Sequence, residues 1–225
     1  MCCKKASLYG LLLFARSFSP TGITLQTENQ DVVSLVMELL RELFRIVPAF
    51  KTARRSDGHR TNILTLDDPN SAKIIYESFG YDQRTVALRI NRANIENECC
   101  SASFLRGVFL SCGSIVDPGK DYHLEFASPH MQLAKDLMAY LSELDFHPKM
   151  VGRQGGSVIY FKESEQIEDM LTIMGAVRQS LELMNVKVYK DLRNKVNRVT
   201  NCETANIGKT VAASSEQVEA IKKIL

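Results

Sequence analysis

Two stretches of the sequence, CCKKASLYGLLLFARSF at 2–18 and CCSASFLRGVFLSCGSI at 99–115, match each other at an offset of 97 residues. The identities include the opening cysteine pairs and the central Gly10 and Gly107. A cleaved secretion signal would not recur in the middle of a mature chain, so both stretches are interpreted as helices of the folded protein. Apolar residues on several of their faces predict that both helices are buried.

The duplication extends outward from these helices. Residues 32–43 match 133–144, and 62–80 match 157–175, so the chain is a tandem repeat followed by a tail. Hydrophobic periodicity predicts the order α-β-β-α-β-β-α in each copy, with helices at about 3–15, 30–46 and 70–79, then 100–112, 130–144 and 165–174. Turn-forming residues at 56–59 and 117–120 predict hairpins. Alternating apolar residues at 81–95 predict an extended linker strand.

The composition is that of a globular protein with an asymmetric charge distribution. The 225 residues are 45% hydrophobic and 24% charged, and no apolar run is long enough to span a membrane. Residues 1–174 carry 19 Lys and Arg against 21 Asp and Glu, whereas residues 175–225 carry 9 against 5. The slightly acidic body and basic tail favour an anionic partner at the C-terminal end.

The six cysteines do not form a recognisable disulfide or zinc pattern. They are two adjacent pairs and two single residues, without a C-x-x-C spacing and without a histidine at zinc-finger distance. This pattern predicts reduced, mostly buried thiols in a cytoplasmic protein, with no bound metal or other cofactor. His123 and His130 lack a metal-ligand spacing as well.

A buried helix with a central glycine, followed by two hairpins and repeated once, resembles the LAGLIDADG homing-endonuclease fold. The resemblance implies an α+β class: a tandem αββαββα pseudo-two-fold domain, here followed by a helical linker. In that family the two motif helices pack face to face, and glycine permits their close approach. We therefore expect Gly10 and Gly107 to meet at one helix–helix contact.

The nuclease chemistry of that family requires an acidic residue next to last in each motif, where the two carboxylates hold metal ions. Ala15 and Cys112 occupy these two positions, and neither is an oxygen ligand for a hard cation. Asp117 and Asp121 cannot restore a symmetric pair, because the first copy has Thr21–Thr24 in that region. The resemblance thus implies a fold without its catalytic centre.

The tail makes the resemblance more specific. The run RNKVNRVTNCETAN at 193–206 is similar to the signature of the WhiA family, as are the cysteine pairs and the stretch 113–125. This resemblance implies a bacterial DNA-binding regulator of sporulation and cell division, with a degenerate LAGLIDADG domain and a C-terminal helix-turn-helix. Ser214 and Gln217 form a capping box, which predicts that the first helix of that domain starts there. The recognition helix would then lie beyond Leu225, and the chain would be a fragment.

These observations predict four segments: repeat 1 with its linker strand at 1–95, repeat 2 at 96–175, a basic helical linker at 176–213 and the start of the helix-turn-helix at 214–225. The linker is predicted to be a long helix with one packed apolar stripe and a basic remainder.

Basic residues in three places are candidate contacts to DNA phosphates. If Asp57 and Gly58 form a two-residue turn, Arg55 and Arg60 lie directly opposite each other, which disfavours the hairpin unless an anion covers them. The alternative is a solvated hairpin tip or, in the tail, an ordinary solvated helix face. The candidates are Lys51, Arg54, Arg55 and Arg60 in copy one, their partial counterparts Lys149 and Arg153 in copy two, and Arg193, Lys195 and Arg198 in the tail.

The sequence therefore predicts a cytoplasmic, nucleoid-associated transcriptional regulator that is not an enzyme and has no membrane partner. It would bind double-stranded DNA mainly through the missing helix-turn-helix. One alternative is a scaffold whose body binds a protein partner, which the acidic balance of residues 1–174 favours. The other is a metal-dependent endonuclease with displaced carboxylates.

Overall fold

The computed structural model describes residues 1–54, 58 and 60–224, and it confirms the repeated order of elements. The observed helix bounds lie within about two residues of the predicted ones. Repeat 1 comprises α1 (Cys2–Leu13), β1 (Ser17–Ser19), β2 (Gly22–Thr27), α2 (Gln30–Phe44), β3 (Ala49–Arg54), β4 (Arg60–Leu66) and α3 (Pro69–Ser78). Repeat 2 comprises α4 (Glu98–Cys112), β5 (Gly113–Ile115), β6 (Leu124–Ser128), α5 (Met131–Glu143), β7 (Lys149–Arg153), β8 (Gly156–Phe161) and α6 (Ser164–Ile173).

Each repeat contains one four-stranded antiparallel sheet, and the two sheets have the same topology. The strand orders are β1-β2-β4-β3 and β5-β6-β8-β7. Apolar residues alternate along the central strands, so each sheet has one buried side and one open side. In the first sheet the buried side carries Ile23, Leu25, Leu64 and Leu66.

The two motif helices α1 and α4 pack against each other at their glycines, as the sequence predicts. A Cβ atom on Gly10 would lie 2.4 Å from the backbone oxygen of Phe104, and one on Gly107 would lie 2.2 Å from that of Ser7. Ser7 and Phe104 are equivalent positions of the two repeats. The contact is therefore symmetric, the two helices run parallel, and only glycine permits this approach.

The segment between the repeats is not the extended strand that the alternation at 81–95 predicts. Its regular element is a short 3-10 helix at Arg92–Asn94, and the backbone nitrogens just before it donate to side chains of the two repeats. The backbone nitrogen of Asn91 donates to the Tyr9 hydroxyl at 2.7 Å, and that of Ile90 donates to the Asp136 carboxylate at 3.0 Å. The linker is thus fastened to both repeats.

Residues 181–224 belong to a second unit. All of these residues lie in one helix, α7 (Val177–Ile224), which begins four residues earlier. The helix continues through Ser214, so the helix start predicted there by the capping box is not observed. The apolar stripe of α7 is also exposed rather than packed, from Leu181 and Val188 to Val196 and Val199. Within the described part of this unit there is no second element to cover the stripe. None of the described helices is long and apolar enough to cross a membrane.

Candidate nucleic-acid interface

The C-terminal ends of α1 and α4 lack the paired carboxylates that this fold uses for phosphodiester cleavage. Ala15 is buried at 2% exposure, and Cys112 is the last residue of α4. Among the described residues, the only convergent group of three or more His, Cys, Asp or Glu side chains is formed by cysteines at the opposite ends of these helices. Ala15 and Cys112 themselves therefore supply no oxygen ligand for a hard cation.

The Cys112 thiol does not supply a negative charge in place of the missing carboxylate. The residue as a whole is partly exposed, but its sulfur is desolvated, and this burial raises the pKa of the Cys112 thiol to about 12. The side chain is therefore neutral at physiological pH. It cannot act as a thiolate ligand or base without a large cost in free energy.

The cations of repeat 1 do not share one side of their sheet. Arg54 pairs directly with Arg60 in the register of β3 and β4, so the prediction that Arg55 pairs with Arg60 across a two-residue turn is wrong. Five residues separate the strands instead of the two that the Asp57-Gly58 signal predicts. Arg55 itself lies outside the described residues.

Strand parity separates Lys51 from the two arginines. Arg54 and Arg60 have the parity of buried Leu64, whereas Lys51 pairs with Ile63 on the open side. All three are exposed, and the arginines reach solvent because they lie at the hairpin tip beyond the core. One flat surface can therefore engage Lys51 or the arginine pair more readily than all three together.

In repeat 2 both candidate cations lie on the open side, and one of them contacts an acidic residue. Lys149 pairs with Tyr160, and Arg153 pairs with Gly156, in the register of β7 and β8. Glu125 on β6 accepts from Arg153 at 3.3 Å and lies 3.2 Å from the His123 ring. This carboxylate offsets part of the positive charge that Arg153 would present to DNA.

Lys149 and Arg153 are not the structural equivalents of the repeat 1 cations. Lys149 occupies the position of Ala49, because each pairs with the equivalent residue of the next strand, Tyr160 or Thr65. By the same register, Arg153 is equivalent to Ala53. The prediction that Lys149 and Arg153 are partial counterparts of the repeat 1 cations is therefore wrong about their positions. The two repeats carry their cations at different places on the sheet.

The tail candidates lie on the exposed surface of α7. Arg193, Lys195 and Arg198 are all exposed. At 100° per residue, Lys195 and Arg198 face nearly the same direction, because they are three positions apart, while Arg193 projects elsewhere around the helix. The helix thus presents one pair of cations and one separate arginine beside the uncovered apolar stripe.

The structure also brings together a group that spacing rules missed. The four thiols of Cys2, Cys3, Cys99 and Cys100 all lie within 4.8 Å of one another. The prediction of mostly buried thiols is wrong, because Cys100 alone is fully buried and Cys202 is exposed on α7. The signal for the cluster was the alignment of the two cysteine pairs across the duplication, since equivalent residues near a pseudo-two-fold axis face each other.

Two protein-family models match parts of the chain. The family model described as the WhiA LAGLIDADG-like domain matches residues 101–193, and that of the WhiA C-terminal HTH domain matches 196–225. Over this second range, the described residues form one uninterrupted helix.

Individual relatives agree with the family models. Proteins named "Probable cell division protein WhiA" are 40% identical in Ruminiclostridium cellulolyticum, over 99% of this chain and 74% of the relative, and 38% identical in Thermoanaerobacter pseudethanolicus, over 98% and 73%.

Solved structures show the same fold at low sequence identity. Full-length DUF199/WhiA from Thermatoga maritima superposes with a TM-score of 0.69 at 19% identity, covering 98% of this chain and 72% of that one. The nuclease I-DmoI in complex with DNA and Mn has a TM-score of 0.50 at 13% identity, covering 77% and 97%. The fold is thus shared with LAGLIDADG endonucleases, and the sequence identity over nearly the whole chain shows that this protein belongs to the WhiA family.

Proposed function

We propose that this protein is a DNA-binding transcriptional regulator of cell division and sporulation, acting on the nucleoid in the cytoplasm. The observation that carries the proposal is the presence, in one chain, of a LAGLIDADG-like segment and a helix-turn-helix segment of the WhiA family. A helix-turn-helix reads base edges through its second helix in the major groove. Sequence-specific DNA binding is therefore assigned to that domain.

The LAGLIDADG-like body does not cleave DNA in this proposal. Metal-assisted hydrolysis needs ligands that fix a cation beside the scissile phosphate, and Ala15 and the neutral Cys112 thiol provide none. Magnesium and manganese prefer carboxylate, carbonyl and water oxygens. Incubating the pure protein with supercoiled DNA and Mg²⁺ should give no nicking, whereas nicking abolished by Asp117→Asn or Asp121→Asn would favour displaced carboxylates.

The body positions the protein on DNA through phosphate contacts rather than by reading bases. Lys51, Lys149 and Arg153 lie on the open sides of the two sheets, and Arg54 pairs with Arg60 at a hairpin tip. Contacts of this kind orient a protein on the duplex without carrying sequence information. We include Arg55, Arg193, Lys195 and Arg198 in the phosphate-contacting set.

A second function, that of a protein-interaction scaffold, is favoured by the charge of the body. Residues 1–174 have a small excess of acidic side chains, and Glu125 lies on the open side of the second sheet. A surface that wraps a duplex is generally basic, because neutralising phosphates supplies much of its affinity. In this alternative the body binds a protein partner, this chain does not contact DNA, and the helix-turn-helix alone reads DNA.

Binding to unrelated duplexes across a salt series distinguishes these functions. The 225-residue chain should bind all duplexes alike, with Kd of about 10⁻⁴ to 10⁻⁶ M at physiological salt, since the described part of its tail has no turn and recognition helix. Replacing Arg193, Lys195 and Arg198 with Ala should flatten the salt slope if the tail touches DNA. Tight binding to one promoter would make the body the sequence reader, and no binding at low salt would support the scaffold.

A further inference from the structure

The N-terminal ends of α1 and α4 carry a cluster of four cysteines, two from each repeat. The sulfur atoms of Cys2, Cys3, Cys99 and Cys100 lie within 4.8 Å of one another, and those of Cys2 and Cys3 are 3.8 Å apart. All four are free thiols. Four sulfur atoms thus converge at one place without being covalently joined.

This spacing fits one tetrahedral metal ion. Zinc–thiolate bonds are about 2.3 Å long, so the sulfur atoms of a regular tetrahedron around zinc lie about 3.8 Å apart. The Cys2–Cys3 separation already has this value, and the remaining pairs need to close by about 1 Å at most. A two-iron cluster would divide its four thiolates between two metal atoms and would hold the two pairs farther apart.

The chemistry of the donors selects the ion. The convergent ligand atoms are all cysteine sulfurs, a set that favours a soft or borderline metal over Mg²⁺, Ca²⁺ or Mn²⁺. A set of four protein ligands leaves no open position for water, which is the arrangement of structural rather than catalytic zinc sites. The cluster therefore suits a closed zinc site with four thiolate ligands.

The surroundings stabilise the negative charge of such a site. The cysteines occupy the first turns of two parallel helices, where the helix dipoles favour anions. The Asn97 amide donates to the Cys100 sulfur at 3.9 Å, an outer contact of the type that orients metal ligands. Cys2 and Cys99 are exposed, so an ion can enter from solvent.

We propose that Cys2, Cys3, Cys99 and Cys100 bind one Zn²⁺ as a structural site that joins the two repeats. Because each repeat supplies two ligands, the ion ties α1 to α4 at their N-terminal ends. At a rise of about 1.5 Å per residue, the site is about 20 Å along the helix from Ala15. It is separate from the degenerate nuclease centre and does not depend on the proposed function.

Metal titration of the fully reduced protein under anaerobic conditions tests the site. Zn²⁺ added against a chromogenic chelator should bind at one ion per chain, confirmed by elemental analysis after gel filtration. Co²⁺ in its place should give the intense visible bands and sulfur-to-metal charge transfer of tetrahedral tetrathiolate coordination. Absence of stoichiometric binding, or the weak spectrum of an octahedral Co²⁺ site, would overturn the proposal.

Serine variants identify the ligands. Cys3→Ser and Cys99→Ser should each weaken zinc binding by at least tenfold and change the Co²⁺ spectrum, while Cys202→Ser should alter neither. Far-ultraviolet circular dichroism establishes that each variant remains folded, and the exposed Cys99 is the variant least expected to disturb packing. Undiminished binding by a chain with all four cysteines replaced would refute the assignment, as would a native disulfide between Cys2 or Cys3 and Cys99 or Cys100.

Discussion

The two repeats have closely matched cores and different open surfaces. At the helix contact, a Cβ atom added to Gly10 or Gly107 would lie 2.4 or 2.2 Å from equivalent backbone oxygens of the facing helix. On the open sides, however, Thr24 of β2 is replaced in β6 by Glu125, since each pairs with the equivalent Ser17 or Ser114. Packing against a partner constrains the core of both repeats at once, whereas a solvent-facing residue has no such constraint. The two repeats therefore differ more on their open surfaces than in their cores.

The largest expected effect tests the equivalence of the two cores. Gly10→Leu and Gly107→Leu should each lower the free energy of unfolding by about 3 kcal/mol, because the new side chain collides with the facing backbone. Chemical denaturation measures both. Gly152→Leu is the matched control, since a Cβ there meets no atom within 4 Å. A large loss at one glycine only would show that the contact is not symmetric.

The next prediction concerns a contact that only repeat 2 makes with the linker. Arg89 donates twice to Asp136, each time at 2.7 Å, whereas the equivalent residue of repeat 1 is Leu35. Asp136→Asn should lower the free energy of unfolding by about 2 kcal/mol, the range for hydrogen bonds to a charged group. Glu143→Gln, which removes the exposed pair with Arg92, should cost less than about 1 kcal/mol.

The same contact makes stability depend on pH. Burial by itself would raise the pKa of Asp136, but the hydrogen bonds from Arg89 and from the Ile90 backbone outweigh it and hold the pKa below its ordinary value. The stabilisation is thus complete above the ordinary aspartate pKa and is lost as the pH falls through the lowered folded value. The stability difference between wild type and Asp136→Asn should shrink in that acidic range; a constant difference would contradict this account.

The cations of the two repeats can be compared through DNA binding. Replacing Arg54, Arg55 and Arg60 with Ala should weaken non-specific binding about tenfold and flatten the salt slope by up to about three counterions. Replacing Lys149 and Arg153 should flatten it by up to about two. Equal losses on every duplex sequence are expected, because phosphate contacts carry no base information. Sequence-dependent losses would instead indicate base contacts by the hairpins.

The smallest effect comes from the charge that distinguishes the open sides. Glu125→Gln should strengthen non-specific DNA binding by up to about fivefold, since it removes an anion and releases Arg153 from its 3.3 Å contact. The reciprocal change Thr24→Glu should weaken binding by a similar factor. If neither variant alters the affinity measured by fluorescence anisotropy, the open sides do not face DNA.

The duplicated pattern made most of the fold predictable. Hydrophobic periodicity was sufficient to predict the helices, and the Asp117–Lys120 signal was sufficient to predict a turn, because both depend on local sequence. The glycine contact was predicted by comparing the two copies. The prediction of a linker strand was wrong because the alternation of Val86, Leu88 and Ile90 mimics a strand. The backbone nitrogens at 90 and 91 instead donate to the side chains of Asp136 and Tyr9. The prediction that a helix starts at Ser214 was wrong because the sequence pattern of a capping box can also occur inside a continuous helix.

The surface sites were harder to predict, because strand register decides them. Whether Arg54 or Arg55 faces Arg60 depends on one residue in the hairpin loop, and a shift by one residue moves every side chain to the other side of the sheet. Glu125 and Arg153 are 28 positions apart, and only the pairing of β6 with β8 and β7 brings them together. The cysteine cluster likewise needs the parallel packing of two helices that are distant in sequence.

Because the linker is anchored to both repeats, this molecule is free of a constraint that acts on a dimer of two identical single-repeat chains. Two identical chains would have to present the same surface on both sides of the two-fold axis, so an acid at the position of Glu125 would occur twice. Joining the halves holds them at a high effective concentration, and neither half then has to be self-complementary. Covalent fusion thereby lets one half keep the neutral hydroxyl of Thr24 at a position where the other half carries the charged Glu125.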